Sequence, residues 1–225
     1  MRAREFTMKD AYSFHLDQAS FDATYQEMYR CYERILTRME LEFRAVQADT
    51  GNIGGDNSHE FHVLAKSGED TIAYSDTGTY AANLEKAAAL APEPAPLGAE
   101  TMSRVDTPNA KTIDAVAAQL GLPTSQNVKT LIVEGEEDDA LIAIILRGDH
   151  ELNEIKAAKL PGVASPLTFA AEERIPMAMG ASVGSLGPVD CNIPFYVDAS
   201  AASIADFVCG ANEDGVHFRG VNWQR

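Results

Sequence analysis

The sequence predicts a mixed α/β chain in two parts, an α+β first part and a compact α/β second part. Three observations carry that expectation. Hydrophobic spacing switches back and forth between the helical period of about 3.6 and the strand period of 2. A proline-rich, non-periodic stretch, A-P-E-P-A-P-L-G and then S-R-V-D-T-P, interrupts the pattern at 91–108. The run from Ala140 to Leu146 is almost wholly apolar, as a central strand is.

The first part reads in order as follows. Residues 5–15 form a strand rich in aromatics. Asp17 or Ser20 caps a helix in which Phe21, Tyr25, Met28, Tyr29, Tyr32, Ile35, Leu36 and Met39 recur at helical spacing. That Tyr/Met stripe is a core face rather than a ligand cage. Phe43 to Asp49 alternates as a strand, Thr50 to Ser58 is a glycine-rich turn, and Ser58 to Ala65 is the next strand. Asp70 to Ser75 is a further strand, and Tyr80 to Leu90 an alanine-rich helix. The layout suits an antiparallel sheet with helices packed on it. It places one domain at 1–90 and a linker at 91–108.

The second domain spans 109–225. A helix runs from Thr112 to Leu120 and is closed by Gly121. Val128 to Glu134 and Ala140 to Leu146 are strands, and Asn153 to Leu160 is a helix ended by Pro161. Glu172 to Ile175 is a short turn or helix, and Gly180 to Pro188 a glycine-rich loop. Pro194 to Asp198 is a strand, Ser200 to Phe207 a helix, and Val216 to Trp223 the last strand. No internal repeat is visible.

Composition narrows the function. Net charge is −16, from 18 Lys+Arg against 34 Asp+Glu, which argues against a module that grips nucleic acid by charge alone. No apolar run reaches the roughly 18 residues of a membrane span, and the charged N-terminus has no apolar leader. Cys31, Cys191 and Cys209 are scattered, with no C-x-x-C pair, so neither zinc nor a disulfide framework is indicated. A reducing cytoplasm fits, and no metal site is expected.

Several residue groups could carry chemistry. Arg2, Phe6 and Asp10 recur every four residues, so on a strand they share one face. A cation, an aromatic plate and a carboxylate there suit a nucleoside triphosphate. The turn T-G-N-I-G-G-D-N-S-H-E-F offers His59 and Glu60, although a plain hairpin turn explains it as well. Lys129 sits at a strand entrance, where it is either a solvated end or a phosphate contact. His150, in R-G-D-H-E, is a base or, more simply, part of a polar turn. Gly184, Ser185, Leu186, Gly187 and Pro188 end a loop able to expose successive N–H groups toward an anion or oxyanion. Asp198 and His217, read as lying on neighbouring strand ends, could orient a water or hold an amino group. There is no G-x-S-x-G elbow, so a covalent nucleophile is not indicated.

Two sets of motifs carry a resemblance. R-x-x-x-F-x-x-x-D in R-A-R-E-F-T-M-K-D resembles the second half of motif 2 of class II aminoacyl-tRNA synthetases, and G-x-I-G-G-x-x-S-H-E-F resembles the prolyl-tRNA synthetase active-site region. T-P-N-A-K-T-I, N-V-K-T-L, R-G-D-H-E-L-N-E-I-K, S-P-L-T-F-A, G-S-L-G-P-V, V-D and F-V-C-G-A-N then follow in order. Together they are similar to the editing insertion of bacterial prolyl-tRNA synthetases, itself similar to free-standing trans-editing deacylases. The resemblance implies an internal piece of a proline–tRNA ligase: a partial class II core, then an editing domain that hydrolyses alanine misattached to proline tRNA. It implies that Lys129 positions the terminal adenosine end. It implies that His217 and Asp198 shape the aminoacyl pocket, which the 184–188 loop lines. It also implies that a ribose hydroxyl of the tRNA helps activate the water. Arg2, Phe6, Asp10, His59 and Glu60 would be remnants of the ATP and proline site. ATP and Mg would serve the full-length ligase, and editing would need no cofactor. The partner would be the aminoacylated 3′ end of proline tRNA, with a homodimeric full-length enzyme and neither membrane nor DNA. A non-catalytic tRNA or aminoacyl-adenylate binding module is the alternative, and a scaffold with incidental motifs the third possibility.

Overall fold

A computed structural model describes residues 5, 7–48, 50, 58–68, 70–94 and 98–223. Two compact units divide the chain, 1–88 and 89–225. The fold is mixed α+β, with several sheets and short helices.

In the first unit, helix α1 (Gln18–Arg38) starts where Asp17 accepts a hydrogen bond from the Ser20 amide. Strands β1 (Phe43–Gln47), β2 (His59–Val63), β3 (Ile72–Tyr74) and β4 (Ala81–Asn83) form a sheet in the order β2-β1-β4-β3. The stripe on α1 meets β2 through ring contacts, Tyr29 on His59 and Phe61, and Tyr32 on Phe61.

Three sequence expectations change here. Residues 7–15 form no strand. The alanine-rich segment is a strand, not a helix: Ala81 and Ala82 are buried between neighbouring strands. After them the Asn83 carboxamide accepts from the Lys86 amide in a turn that ends the element. The sheet is also not purely antiparallel, because β1 and β4 run parallel.

The second unit contains β5 (Ser103–Asp106), α2 (Ile113–Leu120), β6 (Val128–Glu134), β7 (Leu141–Arg147), α3 (Glu154–Ala157), α4 (Ile175–Met179), β8 (Phe195–Val197), α5 (Ala199–Ala202), β9 (Phe207–Gly210) and β10 (Val216–Val221). Thr112 caps α2, and Gly121 closes it in the left-handed region. Two three-stranded sheets result, β5-β10-β9 and β6-β7-β8. A parallel bridge between Asn127 and Val208 sets β9 beside the start of β6, so the two sheets form one surface. Strand β7 is central, as its apolar run predicted, with β6 antiparallel on one side and β8 parallel on the other.

Helices cover both faces of this surface. One face carries Leu131, Val133, Ile144 and Leu146, packed with Ala157 of α3, and Val208, packed with Val116 of α2. The other carries Ile132 and Ala143 against Ile175 and Met179 of α4, and Val128, Ile145 and Phe207 against Ala201 of α5. The alternation follows from the pleat, which sends successive side chains to opposite faces.

Here too the sequence reading needs correction. Part of the stretch read as a linker is structural, because β5 lies inside 91–108 and pairs with β10. The segment read as a helix from Ser200 to Phe207 stops at Ala202, and F-V-C-G begins strand β9. The turn or helix read at Glu172 to Ile175 is present, as a turn at Glu172 to Arg174 that leads into α4, with proline in the helix's first turn.

The β5 pairing yields a prediction. Beyond its ladder, Arg219 pairs with Glu100 at 3.0 Å, and the Ala99 amide donates to Asp206 at 2.8 Å. A fragment spanning 98–225 should therefore unfold cooperatively. A fragment spanning 109–225 should be less stable by about 2 kcal/mol or more, a Tm lower by roughly 8 °C. Equal melting temperatures by circular dichroism would show that the first strand contributes nothing.

Candidate functional site

The candidate site is a row of residues across one face of the joined sheet. Lys129 on β6 pairs with Leu146 on β7. The parallel β7–β8 register continues from Ile145 and Val197 to the next pair, Leu146 and Asp198, and the Asp198 amide donates to the Ile145 carbonyl at 2.9 Å. On the other side, stepping two residues from the Asn127–Val208 bridge brings Lys129 alongside Gly210 of β9. Gly210 in turn pairs with His217 of β10. The order is Asp198, Leu146, Lys129, Gly210, His217, all on one face because paired residues share a face. Each step is about 4.8 Å, so Lys129 stands about 10 Å from His217 and about 10 Å from Asp198.

The glycine in the middle of the row is a requirement. A Cβ at Gly210 would lie 2.2 Å from the Ser185 carbonyl carbon and oxygen. The loop 184–188 therefore rests its backbone on the gap between Lys129 and His217. Gly187 is similarly confined, since its Cβ would meet the Gly210 carbonyl oxygen at 1.9 Å. Gly184, at φ +101°, abuts the Lys111 backbone.

Side chains from the β9–β10 turn hold the loop in place. Asn212 accepts from the Gly187 amide at 2.9 Å and donates to the Gly187 and Val189 carbonyls. Its own amide donates to the Ser185 carbonyl. Ser185 Oγ accepts from the Gly215 amide, and Asp214 accepts from the Ser182 amide at 2.8 Å. G-A-N-E-D-G thus serves as a clamp for the loop. A turn rich in Asn and Asp between two strands was the available signal for it.

His217 is buried, at 5% exposure, and Thr107, beside it, is fully buried. Thr107 Oγ1 lies 2.6 Å from His217 Nδ1, a bond that fixes the ring's orientation. Burial lowers the imidazole pKa below its usual 6.5, so His217 is neutral at physiological pH. Burial pushes the Cys209 thiol up to about 12, which makes it a poor nucleophile; it also points to the opposite face, next to Phe207. Lys129 Nζ donates to Glu151 at 3.1 Å, and Glu151 is almost fully exposed.

The sequence reading paired Asp198 with His217 on neighbouring strand ends, and the sheet order corrects this. Strand β8 pairs with β7, whereas β10 lies between β5 and β9. Asp198 and His217 stand at opposite ends of the row, about 20 Å apart by strand count. Asp198 caps α5 by accepting from the Ser200 amide, and its Oδ1 lies 3.9 Å from His150 Nδ1. His150 lies in a turn with Arg147, as the plainer reading had it.

In the first unit, Arg2 and Phe6 lie outside the described residues, and Asp10 belongs to no strand. His59 faces α1, with Tyr25 Oη 2.8 Å from its Nδ1 and Tyr29 edge-on to its ring. Glu60 turns to the other face of β2 and meets His62 at 2.9 Å. Among the described residues, no group of His, Cys, Asp and Glu is arranged to hold a metal ion. No described helix is long and apolar enough to cross a membrane.

Comparison with known proteins decides the family. The model of the aminoacyl-tRNA editing domain matches residues 107–225, which contain β6 to β10, the loop and the whole row. The chain belongs to the aminoacyl-tRNA editing domain family. Three solved structures are similar to part of this chain. One, described as a candidate trans-editing enzyme for prolyl tRNA synthetase, is 25% identical over 55% of this chain and 77% of that one, with a TM-score of 0.47. One, from epitope backbone grafting by computational design on scaffold proteins, is 24% identical over 55% and 78%, at 0.47. A hypothetical protein is 26% identical over 53% and 79%, at 0.44. An editing domain acts on aminoacyl-tRNA, so the row is where a deacylase activity is sought.

Two predictions follow from this geometry. Gly210→Ala should displace the 184–188 loop, lowering deacylation at least tenfold while β-sheet circular dichroism is retained; unchanged activity would show that the loop does not need its seat. The second concerns pH. In the unfolded chain the His217 ring titrates near 6.5, and in the folded chain it titrates lower, so folding favours the neutral form. Its contribution to stability is present above about pH 6.5 and is lost as pH falls through the window below it. His217→Gln should therefore flatten the drop in urea midpoint between pH 7.5 and pH 5.5. An unaltered slope would mean the ring gains no protons on unfolding.

Proposed function

We propose that this editing domain hydrolyses the ester of misacylated proline tRNA, removing alanine and sparing proline. The observation that supports it most is Lys129 and His217 sharing one face, with the 184–188 loop seated on Gly210 between them. In this reading the aminoacyl group enters beside His217, next to the 184–188 loop, and Lys129 holds the adenosine end through its phosphate. A neutral His217, oriented by Thr107, holds the amino group or a water by hydrogen bonding. Cys209 is protonated and turned to the opposite face, and in this reading a ribose hydroxyl of the tRNA directs the water.

The need for such an activity is energetic. A synthetase pocket shaped for proline excludes the smaller alanine by only about 1–3 kcal/mol, because only apolar contacts are lost. A second pocket that admits alanine and clashes with proline restores fidelity. The ester is already activated, so modest assistance suffices.

We further propose that the chain is an internal piece of a bacterial-type prolyl-tRNA synthetase, in which residues 1–90 are a partial class II core. The motif-2-like R-x-x-x-F-x-x-x-D and the G-G-x-x-S-H-E-F string support this. ATP, Mg and a homodimeric partner would belong to the full-length ligase, working in the cytoplasm. Editing itself would need no metal.

The test is deacylation of alanyl- against prolyl-tRNA for proline by the purified chain. Alanyl-tRNA should be hydrolysed at least tenfold faster. Lys129→Ala should raise KM about tenfold or more, the scale of a lost charged hydrogen bond. His217→Ala should cost about ten- to a hundredfold in kcat/KM. Removal of the ribose hydroxyl should cost more than either. Equal rates on the two tRNAs would contradict the alanine assignment, and full activity without the hydroxyl would contradict the substrate-assisted step.

A further inference from the structure

The row has two unlike ends. At His217 it is closed: His217, Thr107, Ser185 and Leu186 are buried, and Gly184 presses on Lys111. At Asp198 it is open, because the Asp198 and His150 side chains are each 38% exposed. A cavity of about 350 Å³ lies at that open end. Its apolar wall includes Leu146, Leu152 and Tyr196, and its polar rim includes His150, Glu151 and Asp198. Nothing in the deacylation reading uses this cavity.

A polymer whose reactive ester is its last group must place that ester at the closed end. The strand that precedes the ester must then leave by the open end. We infer that this cavity takes the base of the nucleotide preceding the terminal adenosine. The inference rests on the editing reading and extends it to a second substrate subsite.

Position, shape and charge support it separately. Lys129 lies between the closed end and the cavity, one strand from Leu146, where the phosphate joining the two nucleotides would pass. Lys129 is 18% exposed but its present partner Glu151 is 93% exposed, and a bond to so exposed a carboxylate exchanges readily for one to a phosphate. The cavity is mostly apolar with a few convergent polar groups, as small-ligand sites are. Its rim sets two carboxylates, Glu151 and Asp198, against one ammonium, Lys156. That balance repels a phosphate and accepts an amine. Carboxylates accept from the exocyclic amine of cytosine, whereas uracil presents an oxygen at that position. The subsite should therefore prefer cytosine.

The test uses alanine esterified to adenosine alone, to the dinucleotides CpA and UpA, and to a dinucleotide with no base at the first position. The full chain should hydrolyse the CpA ester with a kcat/KM at least tenfold above the adenosine ester. Removing the first base should erase that advantage, and UpA should fall about fivefold below CpA. Leu152→Trp, which fills the cavity, should bring the CpA-to-adenosine ratio close to one. Asp198→Asn keeps a competent helix cap and should narrow the gap between CpA and UpA. Hydrolysis with no dinucleotide advantage, or a ratio untouched by Leu152→Trp, would overturn this inference alone. Failure to hydrolyse any of the esters would overturn the editing reading and the inference with it.

Discussion

One parallel bridge, Asn127 to Val208, determines what the second unit can do. Without it, β5-β10-β9 and β6-β7-β8 are separate sheets, and Lys129 and His217 have no defined relation. With it, the register of four strand pairings runs unbroken from Asp198 to His217. Asn127 is well placed to secure this junction. It is buried, its amide donates to the Thr124 carbonyl, and its carbonyl accepts from the Gly148 amide at 2.7 Å. Its side chain donates to the Pro123 carbonyl at 3.0 Å. Gly148 must be glycine there, since a Cβ would lie 2.4 Å from the Thr124 carbonyl oxygen. The turn before β6 and the turn after β7 thus close on each other and fix where β6 begins.

Chemistry then follows from what the sheet leaves open. Gly210 has no side chain, so backbone from the 184–188 loop fills its place in the row. The Ser185 and Gly187 amides are held by the Ser182 carbonyl and by Asn212, so the loop lines the row as a fixed backbone wall. Burial keeps His217 uncharged and Cys209 protonated, so His217 can offer a hydrogen bond and Cys209 is a poor nucleophile. An acidic surface is compatible with a nucleic-acid substrate if contact is confined to a few groups near the 3′ end. In the proposed reading Lys129 is such a group, and Glu151 is its present partner.

Much of this was legible in the sequence, but unevenly. Strands β6 and β7 were plain because V-K-T-L-I-V-E and L-I-A-I-I-L-R are short segments rich in Val and Ile, bounded by polar turns. The α1 cap and the α2 stop were plain because Asp17 and Gly121 carry their own local signals. Segments whose identity depends on tertiary pairing were misread. Ala81 and Ala82 are helix formers by propensity, yet β4 pairs with β3 on one side and β1 on the other, and both residues are buried there. Ser103–Asp106 has no apolar alternation, because it is an edge strand held by ladder bonds to β10. The candidate residues were named from motif order. Their arrangement was hidden, since adjacency of β8 and β10 cannot be read without the sheet order. Thr107, Asn212 and Glu151 were missed for the same reason: each matters through a partner far away in sequence, His217, Gly187 and Lys129 respectively.

The most direct measurement is isotope-edited NMR of the chain bound to a non-hydrolysable, amide-linked alanyl-adenosine. The account predicts contacts from the alanine methyl to the His217 ring and to amides of 184–188, and from the adenosine to Lys129, all in one complex. Contacts confined to the first unit, or contacts at Lys129 with none at His217 or the loop, would contradict it.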